Sequence, residues 1–147
     1  MKTAQKGFTL VELLVVIGIL ATLLAITLIA INPARQFAQS NNTQRSSNVN
    51  AILNAVHQYA ADNRGAIPAG ISTTVQNVAD TGADICAALI TTYMAALPRD
   101  PSLTGGNITT CTSPYDTGYT IVRSATDNRI TIAAPLAELG ASISVTR

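Results

Sequence analysis

Polarity along the chain changes in steps. Met1 to Gly7 (MKTAQKG) are polar and basic, Phe8 to Ile31 are apolar with Glu12 as the one ionisable side chain, and from Asn32 onward polar residues dominate. The apolar run is 24 residues long, and as a helix rising ~1.5 Å per residue it reaches about 36 Å, beyond the ~30 Å hydrocarbon core of a bilayer. A secretory signal core is shorter, about 7–15 residues, and ends at a small-residue site. This run instead leads into Asn32-Pro33, so the pattern predicts a membrane-spanning helix. Glu12 is out of place in a plain anchor. A carboxylate at mid-bilayer costs about 2.5–3.5 kcal/mol on translocon scales, less near the interface, and anchoring gains nothing from it.

Beyond Ile31, Pro33 removes a helix hydrogen bond and disfavours helix at the residue before it, which predicts a kink. Gly18 with Thr22, and Ala21 with Ala25, place small residues four apart in the apolar run, the spacing that lets helices approach closely. Gln36–Asn50 is nearly all polar apart from Phe37; then Val49, Ile52, Leu53, Val56, Tyr59 and Ala60 recur at three- and four-residue spacing. The expectation is one kinked helix from Phe8 to about Asn63, on the order of 84 Å long, whose second half turns an apolar stripe to a globular domain. Its polar block is expected either in solvent or against neighbours in a polymer. Arg64-Gly65 and Pro68 stop the helix.

A connecting region follows to about Tyr115. Ile85, Leu89, Ile90, Tyr93, Met94 and Leu97 sit at helical spacing behind Asp84, predicting a helix over 84–96 with Asp84 as its cap. Leu97-Pro98-Arg99-Asp100-Pro101 breaks it, and Thr104-Gly105-Gly106-Asn107 reads as a turn. Residues 119–123 and 130–134 are strand-like around Thr126-Asp127-Asn128-Arg129, a hairpin signal, and 141–146 alternates as a third strand. The fold class is therefore α+β: a long kinked helix against a small C-terminal antiparallel sheet of about three strands, with one face buried on the helix. The chain divides into residues 1–7, the membrane helix 8–31, the amphipathic half 32–63, and the loop and sheet domain 64–147.

Charge and composition narrow the function. The net charge is +1; without Lys2 and Lys6 seven arginines face eight acids, a net of −1. The arginines are scattered in sequence, whereas a nucleic-acid surface needs a basic patch, so no nucleic acid is expected as a partner. Lysine and arginine fall evenly on both sides of the apolar run, which leaves the positive-inside rule almost silent. Cys86 and Cys111 both lie beyond that run. An even pair in an exported small domain favours a disulfide and an extracytoplasmic location, although a reduced buried pair looks the same in sequence. Bridged, they would close a loop of about 26 residues, worth roughly 3–4 kcal/mol in the chain-entropy model. His57, the single histidine, is placed on the helix facing solvent or the sheet. No triad, metal-ligand cluster or phosphate loop stands out, so catalytic residues are none and the protein is read as non-enzymatic.

Lys6-Gly7-Phe8-Thr9-Leu10-Val11-Glu12 resembles the processing site of type IV pilins and of the pseudopilins of type II secretion. A short basic leader, Gly-Phe, a glutamate and a long apolar run seldom coincide; the resemblance is strong over residues 1–35 and architectural beyond. It implies cleavage of the leader between Gly7 and Phe8 by prepilin peptidase, N-methylation of Phe8, and a role in assembly for Glu12 and Phe8. The physics agrees. Cleavage creates an α-ammonium four residues before Glu12, and opposite charges in low dielectric attract strongly while either alone is costly to bury. The pair could close within one helix or between two.

The resemblance implies a single-pass precursor in the inner membrane with an extracytoplasmic C-terminal domain, later a cell-surface filament. Its partners would be copies of itself in a helical homo-oligomer, prepilin peptidase and the inner-membrane assembly platform. The leading expectation is a structural subunit of a pilus-like filament; the rivals are a pseudopilin of a secretion machine and a minor pilin for DNA uptake. No cofactor is expected. Calcium is the one metal raised, because Leu97–Pro101 resembles an element that precedes a calcium site in major pseudopilins, with Asp100 and Asp116 as the acids in reach; there a Trp-Gly pair follows, here Ser102-Leu103.

Overall fold

The structure is a computed structural model and describes residues 7–147. The predicted leader, residues 1–7, lies outside the described residues except for Gly7. The chain divides into two compact units, Met1–Phe37 and Ala38–Arg147.

The first unit is dominated by α1, Leu10–Ile31, in which no residue is buried. An all-apolar sequence has only the helix with which to satisfy its backbone internally in lipid, and the side chains comply: Thr22 Oγ1 donates to the Ile19 carbonyl (2.8 Å) and Thr27 Oγ1 to that of Leu24 (2.9 Å). The expected single kinked helix is in fact interrupted. Asn32 is left-handed (φ 44°) and caps α1, and α2, Pro33–Asp62, starts afresh at the proline. Proline suits a first helical turn, where its missing N–H is no loss.

In the second unit, the part of α2 from Ala38 packs on a four-stranded antiparallel sheet. The strands are β1 (Gln76–Ala79), β2 (Asp116–Arg123), β3 (Ile130–Ala133) and β4 (Ser144–Thr146), in the order β1-β2-β3-β4. The stripe read from sequence is the buried one: Val49, Ile52, Leu53 and Val56 are fully buried. They meet the inner face of the sheet, where Tyr119, Ile121, Ile130 and Ile132 alternate with half-exposed residues. Helix α2 ends as expected. Arg64 and Gly65 take positive φ (58° and 86°), and Gly65 N–H donates back to the Ala60 carbonyl. The 119–123/130–134 hairpin forms, with Ile121 opposite Ile132 and Asn128 at φ 57° in the turn.

Two expectations need correction. The helix expected over 84–96 is a single turn, α3, Cys86–Leu89. Ile90 is extended and Thr91 has φ 74°, so the helical spacing of Tyr93, Met94 and Leu97 is satisfied by a bridge between Ile90 and Met94 rather than by helix. Asp84 does not cap it. Ile85 holds the cap position without a side-chain bond, and the Asp84 carboxylate accepts from the Tyr115 hydroxyl. The second correction is β1, a strand in what was read as loop, which takes the sheet from three strands to four. His57 is half-buried on α2, with Nε2 enclosed and unpartnered.

Cys86 and Cys111 are joined, with Cα atoms 5.6 Å apart, tying α3 to the loop before β2. Around it, Leu97 pairs with Ile108 through both backbone groups, which orders the loop from two sides. Replacing both cysteines by serine should therefore lower stability by about 3 kcal/mol without unfolding the sheet. Denaturant unfolding of the detergent-solubilised chain, compared with wild type, checks it; free-thiol labelling of wild type without reductant should find neither thiol.

Candidate processing and assembly segment

Gly7 and Phe8 lie outside helix, and α1 starts immediately after them. Thr9 sets the start. It is extended (φ −81°, ψ 154°), its Oγ1 accepts from the Glu12 N–H at 3.2 Å, and Glu12 Oε2 accepts in return from the Thr9 N–H at 2.8 Å and the Thr9 hydroxyl at 2.7 Å. This reciprocal capping box satisfies backbone donors that a helix start leaves free. Phe8 is 87% exposed, and a Cβ placed on Gly7 would meet nothing. The structure thus places the three sequence-predicted residues, Gly7, Phe8 and Glu12, within one short stretch, and it adds Thr9. The signal for Thr9 was local and legible: threonine followed three residues later by glutamate, just before an apolar run.

That bond set changes the standing of Glu12. Beside the pair with the Phe8 amine that the sequence suggests, the structure gives it a second local use, at the helix start. Here Phe8 carries a peptide N–H rather than a free amine, so the Glu12 carboxylate is occupied by Thr9 alone. Helix α1 contains an 18-residue window of mean hydropathy 3.0 with no residue buried, long and apolar enough to cross a membrane.

The polar block of α2 is mostly exposed, as one of the two expectations had it, but Arg45 within it is fully buried. Its Nε and Nη2 form a two-pronged pair with Asp100 (2.8 and 3.0 Å), and Nη1 reaches Glu138 Oε2 at 2.7 Å and Asn42 Oδ1 at 3.0 Å. Asp100 also accepts from the Ser102 N–H and hydroxyl. Burial alone would push the Asp100 carboxyl up, but Arg45 and then Ser102 outweigh it and hold it below the usual carboxylate range. Arg45, followed by Asn41, does the same for Glu138. In turn Asp100 raises the Arg45 guanidinium. Sequence reasoning missed this cluster, whose central members lie 55 residues apart.

The cluster also answers the calcium expectation at Asp100. Both its oxygens face a guanidinium that already supplies the positive charge, and Asp116 Oδ1 accepts from the Gly118 N–H. Calcium requires six to eight oxygens, and among the described residues no three acid, histidine or cysteine side chains converge. These residues do not fit the ion. Gly118 itself is required where it stands: φ is 78°, and a Cβ there would come within 3.0 Å of the Asp100 Cβ.

Residues 2–28 match the family model described as the prokaryotic N-terminal methylation motif, the signature of type IV pilins and pseudopilins. The match is confined to the N-terminal segment and supports a pilin-like or pseudopilin reading; the motif is a structural one rather than that of an enzyme family. It implies processing by prepilin peptidase and filament assembly, and with α1 it fits a membrane-anchored precursor. No curated protein and no solved structure matches the chain.

Depressed carboxyls stabilise the fold above their unfolded pKa and lose that contribution as pH falls through the folded value. The Arg45 cluster should therefore hold at neutral pH and weaken below about pH 4. Asp100→Asn should cost about 3–5 kcal/mol at pH 7, because a buried guanidinium loses its partner, whereas Arg45→Met with Asp100→Leu should cost much less. Denaturant midpoints of the solubilised variants at pH 7 and pH 3 check both statements. The gap between wild type and the double variant should shrink at the lower pH.

Proposed function

We propose that this protein is the structural subunit of a type IV pilus-like filament: a single-pass precursor, cut between Gly7 and Phe8, N-methylated on Phe8 and polymerised through α1. The observation that carries the reading is the junction itself, Gly7-Phe8 outside helix and just ahead of a capped apolar helix in which no residue is buried. Cleavage would free the Phe8 amine four residues from Glu12. A subunit leaving the bilayer must lay α1 beside helices already in the filament, and apolar contact alone fixes axial register poorly. A Glu12 carboxylate meeting the Phe8 ammonium of an adjacent subunit would favour one offset and penalise the rest. A calcium site would favour the rival place in a secretion machine, and Asp100, the acid raised for it, is engaged by Arg45.

The N-terminal peptide of the mature protein should begin at Phe8 and carry one extra methyl group; mass spectrometry decides it, and a chain retaining Met1 would refute the proposal. Glu12→Gln separates charge from capping. Glutamine still accepts from the Thr9 N–H in a capping box but cannot pair with an ammonium. Processed Glu12→Gln and Glu12→Val should both accumulate in membranes and yield few filaments in sheared fractions. Normal filaments from Glu12→Gln would leave the carboxylate as a helix cap only.

A further inference from the structure

The chain contains two Asn-x-Thr triplets, Asn41-Asn42-Thr43 and Asn107-Ile108-Thr109, the acceptor pattern for N-glycosylation in surface loops of exported proteins. That chemistry needs an asparagine amide that an enzyme can reach and a hydroxyl on the same side of the chain. The structure separates the two copies. Asn41 lies within α2 with its Nδ2 donating to Glu138 Oε2 (3.0 Å), and Thr43 Oγ1 donates to the Gln39 carbonyl (3.0 Å). Both groups are occupied, and a helix turns side chains two apart to different faces.

Asn107-Ile108-Thr109 is arranged the opposite way. Ile108 is buried and exchanges both backbone hydrogen bonds with Leu97, at 2.8 and 2.9 Å. Alternation in this extended pairing sends its two neighbours outward together, and Asn107 and Thr109 are both exposed. Asn107 Oδ1 accepts from the Arg99 N–H at 3.2 Å, a donor that fixes which end of the amide is oxygen. Its Nδ2 and the Thr109 hydroxyl bond to no other described residue. Beside them is an open depression of about 230 Å³ whose lining includes Asn107, Thr109, Thr110 and Thr112, amide and hydroxyl groups that pair readily with the hydroxyls of a sugar. Two residues past Thr109, Cys111 is bridged to Cys86, a bond that oxidising, extracytoplasmic compartments maintain.

We propose that Asn107 is a glycan acceptor, modified by a membrane oligosaccharyltransferase that uses a lipid-linked diphospho-oligosaccharide. Asn107 Nδ2 forms a bond to the anomeric carbon of the first sugar while the C–O bond to the diphosphate breaks; the lipid diphosphate leaves with the bonding electrons and Nδ2 gives up one proton. Oδ1 stays free to accept from Arg99. The inference requires that the domain be exported, and is independent of whether the chain polymerises.

The test is the full chain made in cells that carry such a transferase and its lipid-linked sugar, with an established acceptor protein in the same cells, followed by mass spectrometry of the peptide holding Asn107. The glycan mass should localise to Asn107, and Asn41 should be unmodified. Asn107→Asp keeps the acceptor for the Arg99 N–H, and Thr109→Ala removes no hydrogen bond; both should abolish the added mass while the disulfide still forms, and Thr109→Ser should retain it. Unmodified Asn107 beside a glycosylated control protein, or a glycan carried by Thr109, Thr110 or Thr112 instead, overturns the assignment. Free thiols at Cys86 and Cys111 in the same sample would place the domain in a reducing compartment and overturn it as well.

Discussion

An apolar helix of 22 residues in which no residue is buried is the constraint on which everything else turns. At roughly 25 cal/mol per Å² of apolar surface left in water, such a helix cannot remain in solvent. On the proposed reading it has two homes, lipid and then the equivalent helices of other copies, used in succession. Glu12 is the one side chain in α1 that either home charges for. Its capping bonds with Thr9 ease that cost in the precursor, and a neighbouring ammonium would ease it in the polymer.

The second unit is organised by a different kind of interaction. Its apolar core joins α2 to the sheet through Val49, Ile52, Leu53 and Val56, but the start of the domain depends on charge. Arg45, with no exposed surface, collects the 97–102 segment through Asp100 and the β3–β4 loop through Glu138. A buried pair of this sort adds little net stability compared with apolar packing, yet is costly to break from one side. Its value is in fixing which loops lie where. The disulfide ties that same α3–β2 loop at a second point, so this long connection and the β3–β4 loop are both held to regular structure.

What could be read from sequence follows from how local each determinant is. The apolar run and the α2 stripe are contiguous or periodic patterns, and they stand in the structure close to where periodicity put them; the processing junction was read from a short motif by resemblance. The β2–β3 hairpin carries its own turn. By contrast β1 is four residues, Gln76–Ala79, half of them polar, and becomes a strand only because β2 offers an edge 37 or more residues later in the chain. The helix expected over 84–96 lost to a local bridge between Ile90 and Met94, with two β-branched threonines at 91 and 92 offering little resistance. Arg45 with Asp100 had no sequence signal at all. Thr9 did, and its pattern with Glu12 was there to be recognised.

The most direct test of the central claim is cryo-electron microscopy of fibres sheared from cells expressing the chain, with intact-mass measurement of their main band. The account predicts filaments whose core is packed α1 helices, built from a disulfide-bonded subunit that begins at methylated Phe8. Fibres made of a different protein, with this chain left in the membrane still carrying Met1, would contradict it.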